Sequence, residues 1–344
     1  MIALYILCIV FIITPFFPAI GNQHWFFRTA DFVRLQSIAI EIVCIVLLVL
    51  LTPSFSTWDW ILLFSLIGAT TYQIFKVFPY SSLYPRKKPD SPQDGMFSLL
   101  AANVLQTNNS FGKFIAEIDK FDPDVVLTME SNSDWEEGLS EIEKTFPYTV
   151  KVPLDNFYGM HLYSKIKLEN TKINYHIEED VPSILCEVPI NDKTTIFLAC
   201  LHPAPPSPTE NETSKERDAE LMTVGKKIRD IDKPVVVCGD MNDVVWSRPT
   251  RLFKKMANMI DPRIGRGFFP TYHAGYRFMR FPLDHLFHTK DLFIGKMIRT
   301  ENFDSDHFGM YYEVFHKKKV QTPPNPKLNG DDKKEIEDLI QKAK

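Results

Sequence analysis

The chain of 344 residues contains no Cys-x-x-Cys pair, no His-Glu-x-x-His and no Gly-x-x-x-x-Gly-Lys-Ser/Thr. The first two absences remove the common zinc sites, and the third removes NTP-driven work through a phosphate loop. Cysteine is scarce, with five in all. Cys186, Cys200 and Cys238 are an odd set inside apolar, strand-like runs, so they read as reduced core residues and not as a disulfide framework. A positive excess is missing too: 39 basic against 43 acidic side chains leave a formal charge of −4. That excludes a histone-like protein and the electrostatic drive behind strong non-specific binding to nucleic acid. With 45% hydrophobic and 24% charged residues, the chain is neither disordered nor collagen-like.

Charge is absent from Met1 to Phe27 altogether, and residues 1–84 hold only Arg28, Asp31, Arg34, Glu41, Asp59 and Lys76. Ile2–Ile20 is almost wholly apolar, the length that a bilayer asks of a helix. Ile38–Leu51 and Trp58–Phe78 are two further apolar runs. No Lys or Arg precedes the first run, which sets it apart from a cleaved signal peptide. Three spans put Arg28 and Arg34 on the same side as Lys76 and Arg86-Lys87-Lys88, while the Pro53–Thr57 loop has no basic residue. By the positive-inside bias the expected topology is a multi-pass protein of the cell membrane, N-terminus outside, with everything after Pro79 in the cytoplasm.

The expected organisation is a membrane anchor over 1–78, a juxtamembrane linker over 79–95, a catalytic domain over 96–316 and a charged tail over 317–344. In the domain, strand-like runs at Phe97–Val104 and Val125–Met129 enclose a helical Phe111–Phe121, and a helical Trp135–Phe146 follows. Strand-like runs then come at Tyr148–Val152, Tyr158–Ser164, Ile173–Ile177, Ile184–Val188 and Thr195–Leu201. A long helix at Lys215–Ile231 precedes strands at Pro234–Cys238, Leu283–His288 and Phe308–Phe315. Many strands with few helices predict an α+β fold of two stacked sheets faced by helices. The tail, with Pro323-Pro324-Asn325-Pro326 followed by a charged stretch, reads as a linker and a loose terminal helix.

Strand-like runs here end in polar residues that are costly to bury without a task. Asn103, Glu130 and His202 follow three of them, Asp240 and Asn242 close Gly239-Asp240-Met241-Asn242, Asp284 follows Leu283, and Asp306-His307 stands before the final strand. Singly, each has a bland alternative as a turn residue, a loop carboxylate or a satisfied histidine. Together, these carboxylates and amides, without a cysteine pair, describe an oxygen-donor site for Mg²⁺ or Mn²⁺. Two histidines beside such a cation equip a site for phosphoester hydrolysis, where charge builds on phosphoryl and leaving oxygens.

This ordered series resembles the endonuclease/exonuclease/phosphatase superfamily over about 96–316, through Asn103, Glu130, His202 in LHPAPP, Asp240 and Asn242 in GDMN, Asp284 in PLDHLF and Asp306-His307 in SDH. It is similar in particular to the bacterial membrane-anchored members, through Trp246-Ser247, Asp261-Pro262-Arg263 and Pro282–His288. The resemblance implies a four-layer αββα sandwich and a divalent-metal phosphoesterase. It further implies that Glu130 holds the metal with help from Asn103 and Asp306, and that His307, its tautomer fixed by Asp284, activates or orients water. Asp240 would position the nucleophile or handle a proton, Asn242 would bond phosphoryl oxygens, and His202 would support the phosphate or leaving group. Trp246 and Arg263 are candidates for lining the substrate cleft. Met129 stands where the family commonly has Gln, and no Arg follows Glu130 closely, which counts against DNA as substrate.

The substrate is left open between a membrane-proximal lipid headgroup or inositol phosphate and a nucleic acid. A basic groove formed by Arg248, Arg251, Lys254, Lys255, Arg263 and Arg266 would favour the latter. A catalytically silent membrane-bound binding module is the alternative from another class. No obligate protein partner is expected.

Overall fold

The computed structural model describes residues 1–86, 93–208, 210–317 and 328–343. Lys87-Lys88-Pro89-Asp90 and Pro323-Pro324-Asn325-Pro326 lie outside them.

Eleven strands build two mixed sheets, and the inward alternation of their side chains explains the stacking. The first sheet runs in the order β10 (Leu292–Arg299), β11 (Met310–Lys317), β1 (Gln93–Asn103), β2 (Val125–Met129), β4 (Met160–Ser164), β3 (Tyr148–Val152). The second runs β5 (Glu169–Tyr175), β6 (Pro182–Asn191), β7 (Thr194–Cys200), β8 (Val235–Asp240), β9 (Asp284–His288). Between them Leu99, Ala101, Val125, Leu127, Ile196, Leu198, Val236 and Cys238 form one buried core. On the outer face of the first sheet, Leu100, Ala102 and Val126 pack on Phe114 and Ile118 of α5 (Phe111–Phe121) and on Trp135 of α6 (Ser133–Gly138). Ala199, Val235 and Val237 on the other outer face pack on α7 (Lys215–Arg229) and α8 (Arg248–Met256). Helix, sheet, sheet, helix is the expected four-layer sandwich. β10 and α8 were not foreseen. Gly295, Lys296 and a bulge between Ile294 and Met297 break the alternation of β10, and α8 is mostly polar although Ser247 caps it and Pro249 opens it.

Three N-terminal helical segments are long and apolar enough to cross a membrane: Ile2–Ile20, Arg34–Leu51 and Thr57–Tyr80. They contain α1 (Ile2–Ile13), α3 (Arg34–Leu51) and α4 (Thr57–Val77). Most of their surface is uncovered apolar side chain, such as Phe75 at 79% and Leu50 at 73% exposed.

The segment after the first of them does not hang free. Residues 25–32 form α2 (Trp25–Phe32), which docks on the second sheet's helical layer. Trp25 N donates to Glu212 O at 3.0 Å and Ser214 N to Gln23 O at 2.8 Å. Arg28 Nη2 reaches Asp218 Oδ2 at 3.3 Å, and Asp218, fully buried, also takes Gln23 Nε2, Ser214 Oγ and the Arg217 guanidinium. Burial opposes charge on Asp218, yet Arg217 and Arg28 hold its carboxyl below the usual carboxylate range. The chain after α4 docks as well: Tyr80 lies in the core beside Trp246, and Gly265 N donates to Pro79 O at 2.9 Å.

Two expectations are corrected here. Pro79 and Tyr80, at the start of the expected linker, are held on the domain, because Tyr80 fills an apolar seat and donates its hydroxyl to Val245 O while Pro79 O accepts Gly265 N. The terminal helix α9 (Gly330–Gln341) is not loose either: Ile336, Leu339 and Ile340, at helical spacing, join the core formed with α7 and α8.

Because removing one member of a buried ion pair leaves the other charge stranded, Asp218→Ala is expected to destabilise the detergent-solubilised chain by about 3–5 kcal/mol. Denaturant unfolding checks this, and a loss below about 1 kcal/mol would take the network out of the structural account.

Candidate active site

Sheet register gathers the site at one end of the sandwich. Asn103 and Met129 are register partners on parallel β1 and β2, so Glu130 emerges beside Asn103. Asp240 and Asp284 are directly opposed on antiparallel β8 and β9, which turns both carboxylates to one face. The loop before β11 carries Asp306 and His307. Ser305 ties it to β1: its Oγ donates to Asn103 O at 2.8 Å and accepts His307 N at 3.0 Å.

Asn103 Nδ2 donates to Glu130 Oε1 at 2.7 Å and to Asp240 Oδ2 at 3.2 Å. His307 Nδ1 lies 2.8 Å from Asp284 Oδ2, and its Nε2 lies 3.5 Å from Asp240 Oδ2. Ligand atoms of Asp240, Asp284 and His307 fall within 4.8 Å of one another. Asn242 N donates to Asp240 Oδ1 at 2.9 Å, while its side-chain nitrogen donates to Pro203 O at 3.0 Å, next to the buried His202. Eight of the ten residues singled out from sequence therefore meet at one place.

Asn103 meets the others in a different way from the one expected. Its oxygen accepts Leu105 N at 3.1 Å and its nitrogen faces the carboxylates, so it bridges Glu130 and Asp240 and offers them no oxygen.

Trp246 and Arg263, expected to line the cleft, do not. Trp246 is 2% exposed and its Nε1 donates to Asp31 O at 2.8 Å, so it receives α2. Arg263 is 1% exposed and forks onto Asp261 at 3.0 and 3.2 Å, with His285 alongside. An apolar seat and a buried carboxylate claim the two side chains before substrate can.

Burial, with Asp306 and Asp240 adding like charge, pushes the Glu130 carboxyl up to about 7. Burial alone would keep His307 neutral, but Asp284, Asp240 and Asp306 outweigh it and raise the imidazole to about 10. His202 has less carboxylate around it, and burial pushes it down to about 4. Asp306 Oδ1 is buried with no hydrogen-bond partner among the described residues. Crowded, partly unpartnered carboxylate oxygens at Glu130 and Asp306 fit a hard divalent cation. Both nitrogens of His307 already face carboxylates, an arrangement for moving protons.

Several site residues carried no sequence signal of their own. Met129 Sδ accepts Asp240 N at 3.0 Å across the two sheets. Thr271 Oγ1 accepts Leu283 N and Asp284 N at 3.3 and 3.2 Å, and the Tyr272 ring lies 4.9 Å from that of His307. Arg217 Nη1, from a position on α7 25 residues earlier in the chain, donates to Asn242 O at 2.8 Å. Ser305, two residues before His307 in the same motif, was the one within reach of pattern reading.

The sequence profile described as Endonuclease/Exonuclease/phosphatase family matches residues 100–307, more than half of the chain. The chain belongs to that family. No curated protein sequence matches it. Solved structures do: D. rerio TDP2 complexed with single strand DNA product is 16% identical with a TM-score of 0.52, covering 64% of this chain and 99% of that one. The human Nocturnin catalytic domain with bound sulfate anion is 14% identical at 0.52, covering 66% and 97%. An endonuclease/exonuclease/phosphatase from Beutenbergia cavernae is 15% identical at 0.52, covering 65% and 72%. At such identities the likeness is one of fold, and it supports the family assignment that the profile makes.

Gly239 sets the approach to Asp240. Its φ is +136°, and a Cβ there would lie 1.9 Å from Leu201 O. Gly239→Ala is expected to cost about 1–3 kcal/mol through overpacking and, by shifting Asp240 about 1 Å, to lower hydrolysis on the order of 100-fold. Unfolding curves and turnover on the same preparation check both.

Proposed function

We propose that this chain is a membrane-anchored, divalent-cation-dependent phosphoesterase that hydrolyses a phosphodiester or phosphomonoester presented at the membrane. The observation that carries the reading is His307 held between Asp284 and Asp240, beside the unpartnered carboxylate oxygen of Asp306. Glu130 and Asp306 would hold Mg²⁺ or Mn²⁺, with Asn103 fixing the Glu130 carboxylate. When bound, that cation supplies Lewis-acid stabilisation of charge on phosphoryl oxygen.

The chain's own groups do the rest. Asp284 accepts Nδ1–H and so fixes the ring plane of His307, directing Nε2, protonated at neutral pH, towards the reaction space. Asp240, 3.5 Å from that nitrogen, is placed to take the proton of an attacking water. Asn242 keeps one of its two side-chain N–H bonds on Pro203, and the other serves a phosphoryl oxygen. His202, uncharged at neutral pH, stands by the leaving group.

Nucleic acid is the weaker substrate reading, because the basic residues that would make its groove are engaged. Arg248 lies on Glu335, Lys255 on Asp332, Arg263 on Asp261, and Arg266 on the carbonyls of Ile294 and Gly295. Helix α9 thus answers much of this charge before any phosphate backbone does.

The full chain in detergent or nanodiscs should hydrolyse a phosphoester in a panel of lipids, inositol phosphates, DNA and RNA, with Mg²⁺ and not with EDTA. Glu130→Gln should abolish the Mg²⁺-dependent hydrolysis, and Asp240→Asn and His307→Ala should each cost at least about 100-fold in rate while remaining folded. Turnover unchanged in EDTA would sink the metal reading, and folded protein inert across the panel would favour the silent binding module.

Docking of α2 on the domain supports a topology in which the end of the first apolar segment and the end of the third lie on one side of the membrane. With the Arg28, Arg34 and Arg86 bias, that side is the cytoplasm. A reporter fused after Lys344 should be active only if it works in the cytoplasm; activity of a reporter that needs the opposite side would reverse the topology.

A further inference from the structure

The loop between Thr271 and Phe281 joins two places that matter. Its base is pinned to the catalytic histidine segment: Ala274 N donates to Asp306 O at 2.6 Å, Phe308 N to Thr271 O at 3.0 Å, and Tyr272 pairs with His307 and Phe281. Arg280 closes the base, donating Nη2 to Ala274 O at 2.9 Å over the Phe308 ring. The tip is the opposite in character. Phe278 is 85% exposed, Tyr276 64% and Met279 46%, with the exposed Arg277 among them. A cluster of large apolar side chains held out by a tight turn marks an interaction surface.

What covers it follows from its neighbour. Gln36 Nε2, in the first turn of α3, donates to Phe278 O at 3.0 Å, and Phe32, at the end of α2, packs edge-on against Phe281 at 5.8 Å. The 18 residues of α3 rise about 27 Å at ~1.5 Å each, close to the hydrocarbon thickness of a bilayer. Gln36 is two residues from Ile38, where the apolar run of α3 begins, so the loop tip sits within about 3 Å, along the helix axis, of the level at which hydrocarbon starts. Aromatic rings with a polar backbone edge, flanked by arginine, match that interfacial layer and its anionic phosphates.

We propose that residues 274–280 are a bilayer-docking loop: Tyr276, Phe278 and Met279 enter the interface of the membrane that α1, α3 and α4 cross, Arg277 meets lipid phosphate, and the catalytic mouth is seated on the headgroup layer. The substrate is then a phosphoester carried by a membrane lipid. This second half rests on the phosphoesterase reading above, and the first half does not.

The five cysteines are all buried, so Phe278→Cys supplies an accessible thiol for an environment-sensitive fluorophore on the full chain in nanodiscs. Lys193→Cys is the comparison: Lys193 is exposed in the β6–β7 turn, at the far end of β7 from His202, with the whole strand, about 23 Å by rise, between them. Label at 278 should be blue-shifted and quenched by lipid bearing a shallow acyl-chain nitroxide, while label at 193 is quenched only by aqueous iodide. Equal iodide quenching at both positions, with no lipid quenching at 278, overturns the docking loop whether or not the protein is an enzyme.

Phe278→Ser/Met279→Ser tests the substrate. Turnover of phospholipid in vesicles of phosphatidylcholine and phosphatidylglycerol should fall at least tenfold, with hydrolysis of a water-soluble bis-aryl phosphate unchanged. An equal loss on both, no loss on either, or hydrolysis of oligonucleotide and soluble inositol phosphate but of no lipid overturns the lipid assignment. Loss of all hydrolysis in the unaltered chain, with label at 278 still lipid-quenched, would instead strike the enzyme reading and leave the docking loop standing.

Discussion

The Arg217–Asp218 pair is the constraint on which the rest of the molecule turns. Both side chains are fully buried, and neighbouring residues on one helix hold them in place. Desolvating two charges is costly unless every lone pair and N–H is answered, and here the answers come from three separate parts of the chain. Asp218 is satisfied by Gln23, Arg28 and Ser214, which brings in the segment between the first two apolar helices. Arg217 is satisfied by Asn242 O and faces Asp243, which brings in the loop that carries Asp240. One guanidinium thus lies between the α2 contacts and the loop carrying Asp240. The segment between the first two apolar helices is accordingly part of the domain's structure, and Trp246 is spent on receiving it.

Charge crowding is the second theme. Glu130, Asp240, Asp284 and Asp306 converge on one strand-end groove, and His307 and the Asn103 amide stand among them to moderate the repulsion. Two of the site residues also sit at positive φ, Glu130 at 56° and Asn242 at 50°, a region costing of the order of 1–3 kcal/mol for a non-glycine residue. Such local cost persists only where surrounding packing over-determines it. The inter-sheet core beneath, with Met129 accepting the Asp240 amide, supplies that packing. A divalent cation at Glu130 and Asp306 would relieve the electrostatic part of the cost, so this chemistry and the stability of the strand ends are linked.

The electrostatic picture of the whole domain changes once α9 is placed. A stretch from Arg248 to Arg266 that is basic in sequence is largely paired in space, with Glu335 and Asp332 from α9 facing Arg248 and Lys255. Net charge and charge runs describe what a surface has available only after such pairs are removed. Near the site, Arg280 and Arg299 lie over the Phe308 ring, each with one nitrogen on a backbone carbonyl.

Much of this protein was legible in its sequence, for identifiable reasons. Strands buried on both faces, such as Val125–Met129 and Val235–Asp240, read as unbroken apolar runs, and polar residues at their ends stood out against them. The same contrast exposed Asn103, Glu130, His202, Asp240, Asp284 and His307, and the three apolar helices announced themselves by length. What remained closed were the long-range contacts. Arg28 meets Asp218 across 190 positions, Trp246 meets Asp31 across 215, and Gln36 meets Phe278 across 242. Hydropathy says that Trp246 and Arg263 are suited to a cleft or to a core, but which one depends on what the rest of the chain brings alongside. By itself the sequence determined most strands and helices of the domain, the polar residues at the strand ends and the three apolar helices, all of which are local properties of short segments. Only the tertiary structure decided that α2 and α9 are docked, that the basic stretch is neutralised, and that the 277–280 loop lies level with the start of α3, because each is a pairing between distant segments that no local pattern encodes.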